Sequence, residues 1–349
     1  MKSKKIYKSI IAIIVFVFLF VAMFSFISEI LCRKSLGGAW NYTEKIAGFY
    51  NSQDNEYDVM FFGSSNTYCS FNPLIFYEES GVKSYILATQ NQPVWASYTY
   101  MKESLKTQKP KLLVMDILAF TYKDEYSDDG VTHSYMDDLP MSANKLELAW
   151  VSAPNYGKRL ELLCNFIKYH SRWNELTKTD FTFKRSEARD YLKGYVLLES
   201  TFDKAVLPDA DTEETSPIEE KQKEYFYKII NLAKENNIPL VLVKTPSNVV
   251  EKDQKLFNTV KKMAEKENVP FIDFNRRYDE IGLDIKDHFF DKSHLNYKGA
   301  EKFTRYFAKE ISESYPEVKS KDINNTSAIW KADVKEYHKY CKNIEKIND

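Results

Sequence analysis

Short apolar runs alternate with longer amphipathic segments along most of this chain. Five runs have the length and the composition of buried strands: 57–62, 84–88, 111–118, 238–244 and 270–274. Other segments repeat apolar residues at helical spacing: 94–107, 219–235, 254–267 and 297–313. Near-continuous apolar strands that alternate with helices predict a parallel sheet covered on both faces. We therefore expect a three-layer α/β/α fold with a five-stranded parallel sheet in the middle.

One long interval interrupts this alternation. Residues 121–216 are polar and rich in tyrosine and acidic residues, with helical patterns near 145–148 and 158–173 but no convincing strand. A segment of this length between adjacent strands predicts a helical insertion rather than a bare loop. Insertions at the carboxyl end of such a sheet commonly shape a substrate site. A further amphipathic pattern at 328–347 predicts a C-terminal helix.

The N-terminal region has the pattern of a membrane span. Residues 9–28, SIIAIIVFVFLFVAMFSFIS, contain no charge, and about 20 helical residues match a hydrocarbon core of about 30 Å. Lysines precede this run, whereas only Arg33 and Lys34 follow it closely. The positive-inside rule then favours a cytoplasmic N-terminus and an extracytoplasmic remainder. A cleaved signal peptide is the alternative, but no small-x-small cleavage site follows the run.

These patterns predict a single-pass protein of the cell membrane with four parts. Residues 1–35 form the cytoplasmic N-terminus and the membrane anchor, and 36–55 form a stalk. Residues 56–315 form the α/β domain, with the insertion at about 121–216, and 316–349 form a C-terminal helical tail. We expect the α/β domain to be extracytoplasmic.

Composition and charge narrow the function classes. The 349 residues are 44% hydrophobic, which is ample for a large core. The 49 basic and 50 acidic residues give a net charge of -1, so we expect no nucleic-acid partner. The four cysteines are scattered without CxxC pairing, and no metal-ligand cluster or phosphate-binding glycine loop is present in the sequence. We therefore expect no metal or other cofactor.

The stretch DVMFFGSSNTYCSFNP, residues 58–73, is the strongest candidate for chemistry. Its apolar run stops at Gly63, so the hydroxyl of Ser65 is expected at the carboxyl end of the sheet, where ligands bind in open α/β folds. A serine hydroxyl is a poor nucleophile unless a base removes its proton and another group orients that base. The alternative is a serine that only turns the chain after a strand.

His294 is the strongest candidate for the base among five histidines. It lies in DHFFDKSHLNYKGAEKFTRYF, three residues after Asp291, so on one helical turn both side chains can point the same way. The carboxylate would accept a hydrogen bond from one imidazole nitrogen while the other nitrogen faces the serine. Asn296 is placed to cap the helix that follows. The alternative is an ordinary surface histidine.

These residues resemble a known superfamily. FFGSS near the start and DKSHLNYKGA near the end are similar to the first and last blocks of SGNH/GDSL hydrolases, over about residues 57–314. The resemblance implies a flavodoxin-like fold, with Ser65 as the nucleophile, His294 as the base and Asp291 as the orienting acid.

Three further features sharpen the resemblance: the anchor, the G-S-S form of the first block and the insertion. They are most similar to the DltD-like proteins of teichoic-acid D-alanylation and to extracytoplasmic SGNH proteins that act on cell-surface polysaccharides. The resemblance implies acyl transfer or ester hydrolysis on O-acyl groups, acetyl or D-alanyl, of a cell-surface glycan or teichoic acid. It also implies a membrane-bound O-acyltransferase as a partner.

The middle blocks depart from the superfamily pattern. Where a glycine of the second block supplies a backbone donor, this chain has ATQNQP at 88–93, and where a G-x-N-D block follows the third strand it has MDILAF at 115–120. The glycine and asparagine donors are therefore not recognisable, and the oxyanion hole must be built from other residues.

A tetrahedral oxyanion needs preorganised hydrogen-bond donors. The turn at Ser64 and Ser65 can supply one through the Ser65 backbone amide. The loop after the second strand can supply another from Gln90, Asn91 or Gln92, and Asn91 is our choice.

Four further residues are candidates for substrate binding. Asp116 and Lys244 end or nearly end their strands and would point towards the same rim as Ser65. Their alternative is a charge that solvates a strand end. His170 and Arg172 lie with Trp173 in a helical pattern of the insertion, where such groups could recognise phosphate or sugar. Their alternative is a packed helix with Trp173 inward.

The sequence thus favours a membrane-anchored serine enzyme that forms an acyl-enzyme at Ser65. Transfer to a glycan is favoured over hydrolysis only by the resemblance. Two alternatives stay open: a plain carbohydrate esterase with water as acceptor, and a non-catalytic scaffold that binds glycan or a membrane acyltransferase.

Overall fold

A five-stranded parallel sheet forms the centre of this computed structural model, which describes residues 2–37, 41–123, 129–318 and 327–348. The strands are β1 Val59–Gly63, β2 Ser84–Ala88, β3 Leu112–Asp116, β4 Leu240–Lys244 and β5 Phe271–Asp273. Their order is β2-β1-β3-β4-β5, and every neighbouring pair is parallel. This is the flavodoxin-like strand order. The predicted α/β fold and its five strands are confirmed.

Fifteen α-helices occur in the described residues. They are α1 Lys2–Leu31, α2 Tyr42–Tyr50, α3 Ser65–Ser70, α4 Pro73–Ser80, α5 Val94–Ser104, α6 Asp129–Met136, α7 Ala143–Ser152, α8 Tyr156–Leu163, α9 Asn165–Tyr169, α10 Lys178–Thr182, α11 Glu220–Glu235, α12 Glu251–Lys266, α13 Tyr278–Ile281, α14 Tyr297–Ser314 and α15 Ala328–Asn348. Short 3-10 helices lie between these elements, at Leu118–Thr121, His170–Asn174, Arg185–Glu187, Phe274–Arg276 and Pro316–Val318.

Helices cover the sheet on both sides. Helices α4 and α14 pack together, as do α5 and α11, and both α4 and α5 contact β2. Every residue of β1 to β4 is buried, as expected for strands covered on both faces. Phe61 of β1, Phe71 and Phe307 of α14 pack together within this core. The Phe61 and Phe71 rings stack with centroids 4.4 Å apart, and the Phe71 and Phe307 rings meet edge to face at 4.9 Å. Each such buried ring contributes about 1.5–3 kcal/mol to folding.

Helix α14 begins where the sequence predicts. The Asn296 side chain accepts a hydrogen bond from the Gly299 amide, which caps the first turn. Ala300, Phe303 and Phe307 are buried, so the predicted apolar face packs inward. The cap and the face together fix the start of this helix, immediately after the segment that carries Asp291 and His294.

Helix α1 is long and apolar enough to cross a membrane. Its segment Ile6–Leu31 has a mean hydropathy of 3.2, and most of its apolar side chains are exposed, whereas Leu31 at its end is buried. Near its C-terminal end α1 contacts α9, α10 and the 3-10 helix His170–Asn174. The helical insertion predicted at 121–216 therefore reaches from the sheet to this helix.

The segment predicted as a stalk packs onto the domain. Within residues 36–55, helix α2 buries Thr43, Lys45, Ile46 and Phe49. Apolar side chains on this short helix give it a face that covers the sheet edge, and α2 contacts β2. Helix α2 is therefore part of the packed domain and does not form a spacer between the domain and the membrane.

Candidate active site

The turn after β1 requires glycine at position 63. Gly63 has φ +148°, and a Cβ there would lie 2.1 Å from the Thr67 Oγ1 and 3.1 Å from the Asp116 Cβ. Both the backbone conformation and the close approach therefore exclude a side chain. The chain passes through Ser64 into α3, whose first residue is Ser65. This turn presents the Ser65 side chain at the carboxyl end of the sheet.

Three side chains form a continuous chain of hydrogen bonds. His294 Nε2 lies 2.8 Å from Ser65 Oγ, although the two residues are far apart in sequence. His294 Nδ1 lies 2.8 Å from Asp291 Oδ2 and 3.0 Å from Asp291 Oδ1. With Nδ1 protonated and donating to Asp291, Nε2 is the acceptor that faces the serine hydroxyl. The contacts join the three residues that the sequence proposes as nucleophile, base and orienting acid.

The loop that carries Asp291 and His294 is held by its own backbone. It lies between Phe289 and Leu295, which form an antiparallel bridge ahead of α14. The Asp291 Oδ1 accepts hydrogen bonds from the backbone N–H groups of Ser293 at 2.7 Å and His294 at 2.8 Å. The predicted helical turn is therefore wrong. The three-residue spacing works because the carboxylate caps a tight loop and turns back to the imidazole.

The Asp291 carboxylate remains ionised at neutral pH. Its partial burial alone would raise the pKa. The hydrogen bonds from the His294 side chain and from the two backbone N–H groups outweigh burial, so the pKa of Asp291 is lowered from its ordinary value of 3.8. An ionised carboxylate at Nδ1 stabilises the imidazolium that forms when His294 accepts a proton.

Gly299 allows α14 to approach this loop closely. A Cβ at Gly299 would lie 2.2 Å from the His288 carbonyl oxygen, so a side chain would push the segment before Asp291 away from the helix. His288 itself accepts a hydrogen bond on Nδ1 from the Asp284 amide at 2.7 Å. Burial lowers its pKa. His288 thus has a structural role in positioning the loop.

Ser64 is bound to the start of the insertion. Its Oγ accepts a hydrogen bond of 3.0 Å from the Tyr122 hydroxyl, and the Tyr122 carbonyl accepts one from the Gln222 side chain. Burial raises the pKa of Tyr122. The Ser64 side chain therefore fixes the turn and the insertion relative to each other. Tyr122 is a residue that the sequence did not single out, because this contact depends on the tertiary fold.

The loop after β2 supplies fewer candidate oxyanion donors than the sequence predicts. The Gln92 amide is buried and bonded to Thr89, Leu87 and Ser97, so it holds the loop and is not free to bind an oxyanion. Asn91 is exposed and has φ +44°, in the left-handed region. Its side chain remains a candidate donor.

Asn66 was missed by the sequence reasoning. It follows Ser65 in α3 and is only 1% exposed, yet neither polar atom of its side chain has a hydrogen-bond partner within the residues that the structure describes. Buried amides are almost always paired, so the unpaired Asn66 side chain next to Ser65 is a candidate donor to a bound group. The only sequence signal is its position directly after the serine.

Asp116 and Lys244 are not arranged to bind substrate. The Asp116 Oδ2 accepts from the amide and the hydroxyl of Thr245, both at 2.8 Å, and its Oδ1 accepts from the Leu118 amide at 2.9 Å. Lys244 donates to the Thr245 carbonyl and to the Ser247 hydroxyl. Both charged residues are fully buried, and burial lowers the pKa of Lys244. They join the ends of β3 and β4, and their burial contradicts the alternative of a charge that solvates a strand end.

His170 and Arg172 lie beside α1 instead of beside Ser65. The Arg172 guanidinium donates to the Leu31 carbonyl at 2.6 Å and to Asp180 at 3.0 Å, and His170 Nδ1 contacts the Ile167 carbonyl. In the described part of the chain neither residue has a hydrogen bond or ion pair with Ser65, His294 or Asp291. The insertion docks this segment on the N-terminal helix, and the role of these two residues in substrate recognition stays a prediction. Trp173, which the alternative placed inward, is 72% exposed.

A buried lysine lies near the end of β2. The Lys45 Nζ donates to the Ala88 carbonyl at 3.1 Å and lies 4.0 Å from the centre of the Tyr68 ring. Burial lowers its pKa to about 8. Lys45 therefore connects α2 with the last residue of β2 and with α3. Nothing in the sequence around it marks this role, because it depends on how α2 docks.

The arrangement is suited to nucleophilic acyl transfer by a serine. A base touches the hydroxyl, an ionised carboxylate orients the base, and the amide of Ser65 has no acceptor among the described residues. Across the same residues no group of three or more histidine, cysteine, aspartate and glutamate side chains is arranged to bind a metal ion.

Comparisons with known proteins add a limited likeness. A protein-family model matches residues 209–316, less than a third of the chain, which includes Asp291 and His294 but not Ser65. No curated protein sequence matches the chain. A GDSL-like lipase from Bacteroides thetaiotaomicron is 11% identical, covers 79% of this chain and 99% of its own, and has a TM-score of 0.39.

A second solved structure is a catalytic mutant of an acetylxylan esterase from Geobacillus stearothermophilus. It is 14% identical, covers 74% of this chain and 95% of its own, and has a TM-score of 0.34. At such values the likeness assigns neither a family nor an activity to this chain.

Proposed function

We propose that this protein is a membrane-anchored, extracytoplasmic serine esterase or acyltransferase of the SGNH type. The observation that carries the proposal is the hydrogen-bonded chain from Ser65 Oγ through His294 to Asp291, with 2.8 Å at each step. A serine that merely turned the chain would not need a base on its hydroxyl and a carboxylate behind that base.

The reaction proceeds in two steps. Ser65 Oγ attacks the carbonyl carbon of an O-acyl ester while His294 Nε2 takes the serine proton. The tetrahedral intermediate collapses, His294 gives the proton to the leaving alcohol oxygen, and the acyl group stays on Ser65. An acceptor hydroxyl, from water or from a sugar, then attacks the carbonyl carbon of the acyl-enzyme while His294 Nε2 takes its proton. The bond from that carbon to Ser65 Oγ breaks, and His294 returns the proton to Ser65 Oγ. Asp291 stabilises the imidazolium in both steps.

Two donors stabilise the oxyanion in this proposal. The backbone N–H of Ser65 is one, and the Asn66 or the Asn91 side-chain amide is the other. Asn66 is buried next to the nucleophile and has no partner within the described residues, which favours it over the exposed Asn91. Loss of one such donor costs about 2.7–4 kcal/mol of transition-state stabilisation in studied enzymes.

The substrate in this proposal is an acetyl or D-alanyl ester on a cell-surface polysaccharide or teichoic acid. A long apolar N-terminal helix with lysines before it supports a location at the outer face of the cell membrane. A membrane-bound O-acyltransferase is the partner that would supply the acyl group. Transfer is our preferred reaction because of the resemblance to DltD-like proteins.

Hydrolysis is the second candidate. The His294 side chain is 24% exposed and the Asp291 side chain 43% exposed, so solvent reaches the base and water is available as an acceptor. Incubation of the protein with an acetylated glycan and an unacetylated acceptor separates the reactions. Acylated acceptor as the main product supports transfer, whereas free acetate in its place supports a plain esterase.

A fluorophosphonate probe tests the serine chemistry itself. The full chain in detergent is exposed to the probe and its intact mass is measured, with Ser65→Ala and His294→Ala as variants. We expect one adduct on the parent protein and none on either variant. Ser80→Ala, which removes a hydroxyl at the end of α4, is the matched control and should keep the adduct. Folded parent protein without an adduct would favour the non-catalytic scaffold.

A further inference from the structure

The helical insertion packs against the last turns of α1. The rings of Phe24 in α1 and Phe166 in α9 lie 5.0 Å apart. Leu31 is buried in a small apolar cluster with Tyr169, and the Leu31 carbonyl accepts a hydrogen bond from Arg172. The end of α1 is therefore fixed to the insertion by both apolar and polar contacts.

The position of Phe24 sets the height of this contact. Residues 9–28 carry no charge, and their length of about 30 Å fills the hydrocarbon core of a bilayer. Phe24 belongs to the last turn or two of that uncharged run, and Glu29 is the first charge after it. If α1 spans the membrane, Phe166 lies at the boundary between acyl chains and headgroups.

Large apolar side chains are exposed on the elements that contact α1. Ile167 in α9 is 44% exposed, Trp173 in the adjoining 3-10 helix 72%, and Phe181 in α10 61%. We call these three residues the juxtamembrane surface. Exposed tryptophan and other large apolar residues beside a membrane span are typical of segments that lie in the membrane interface. Exposure to water would leave this apolar area without a favourable environment.

We propose that the bilayer that holds α1 also covers the juxtamembrane surface. The inference rests on the proposed membrane anchor, and the occupant is the boundary between phospholipid headgroups and acyl chains. Its support is continuity: α9, α10 and the 3-10 helix between them touch the segment of α1 that leaves the membrane.

The docked insertion gives the domain a fixed orientation on the membrane. The insertion leaves the sheet beside the candidate active site, where Tyr122 contacts Ser64, and its later helices reach α1. Helix α2, directly after the anchor, is itself packed on the domain. The site around Ser65 is therefore held at a set distance from the lipid surface, which suits a polymer or lipid-linked substrate presented there.

Site-directed spin labelling tests this docking on the full chain. The partly exposed Cys164 is replaced by serine, the buried Cys32, Cys69 and Cys341 are kept, and each variant receives one new cysteine, at Ile167, Trp173 or Phe181. Leu207 and Ile329, exposed apolar residues outside the insertion helices, serve as matched control positions. Each variant is labelled with a nitroxide and reconstituted in vesicles of phosphatidylethanolamine and phosphatidylglycerol. Collisions with oxygen, which partitions into lipid, are compared with collisions with a water-soluble nickel chelate.

We expect the three juxtamembrane labels to collide mainly with oxygen and to lose collisions with nickel when detergent is replaced by vesicles. The labels at the two control positions should collide mainly with nickel in both states. The docking would be overturned if the labels at all five positions collided mainly with nickel while the protein resisted alkaline carbonate extraction. Labels shielded in native membranes but open in lipid vesicles would also overturn it, in favour of a membrane-protein partner.

Failure of the premise is distinguishable from failure of the docking. If alkaline carbonate extracted the protein from the vesicles, α1 would not anchor the protein in the membrane. The docking proposal would then fail together with the anchor. The fluorophosphonate adduct at Ser65 is measured on the same samples and reports the serine chemistry independently.

Discussion

Two carboxylates near the carboxyl edge of the sheet have opposite surroundings. Asp291 lies on a loop, its side chain 43% exposed, and gives both oxygens to the His294 imidazole. Asp116 ends β3, is fully buried, and uses both oxygens on Leu118 and Thr245. A position at this edge of the sheet is therefore not sufficient to make a carboxylate part of the candidate active site. The difference is that Asp291 bonds to the His294 imidazole in addition to its own loop backbone, whereas the bonds to Asp116 come from Leu118 and Thr245 and reach no candidate catalytic group.

The same difference separates reactivity from stability. Asp116 joins the ends of two strands, and its Cβ lies beside Gly63. Asp116 therefore supports the turn that carries Ser65. Asp291 supports the base directly. We expect substitutions at the two positions to fail in different measurements.

The largest effect is expected from removal of the base. His294→Ala should lower kcat for an ester substrate by about 10⁶, because in a coupled nucleophile and base the loss of one member removes the function of the pair. His338→Ala removes a histidine that bonds Glu78 on the surface and should leave the rate unchanged. Turnover of p-nitrophenyl acetate by the folded full chain measures both. A rate for His294→Ala close to the parent value would exclude the proposed base.

Asp291→Asn should lower kcat by about 10⁴, because an amide at this place favours the wrong imidazole tautomer. The backbone contacts of the loop keep the fold intact, so the free energy of unfolding at neutral pH should fall only slightly. Asp287→Asn is the matched control in the segment just before this loop, since Asp287 pairs with Lys298. If the two variants had equal rates, Asp291 would not orient the base.

Asp116→Asn should act on stability instead. One of the buried donors on Leu118 or Thr245 would face an amide nitrogen, and a buried unsatisfied donor costs about 1–3 kcal/mol. Urea denaturation should show that loss, while the kcat of the folded fraction stays near that of the parent. A large fall in kcat at unchanged stability would return Asp116 to the substrate site.

The smallest effect is expected in the free energy of unfolding at acid pH. The pKa of Asp291 is lowered in the folded protein from 3.8, so the unfolded chain binds more protons in that region of pH. The contribution of Asp291 to stability is fully present above its unfolded pKa and is lost as pH falls through its lower, folded pKa. The difference in unfolding free energy between the parent and Asp291→Asn should be constant near neutral pH and shrink in acid. A difference that instead shrank as the pH rose would contradict the lowered pKa.

The sequence was informative where the signals are local. Continuous apolar runs located the five strands, and the order of Ser65, Asp291 and His294 along the chain was sufficient to propose that they meet. The geometry of the Asp291 loop was not predictable, because a three-residue spacing suits both a helical turn and a loop capped by a carboxylate.

The contacts that the sequence did not predict lie between distant segments. Asp116 and Lys244 both reach the residues after β4, and only the paired strands reveal this. Arg172 finds its acceptor at the end of α1, more than a hundred residues earlier. Neither composition nor periodicity around these residues carries that information.

The contacts at the end of α1 bear on how a soluble fragment of this protein should be cut. A fragment that begins at Cys32 would lose the Leu31 carbonyl that Arg172 binds and the Glu29 carboxylate that Arg185 binds. It would also uncover the Cys32 thiol, which is now fully buried, and an exposed thiol oxidises and cross-links. A fragment that keeps the last turn of the helix, with Cys32 replaced by serine, is the better starting material for crystallisation.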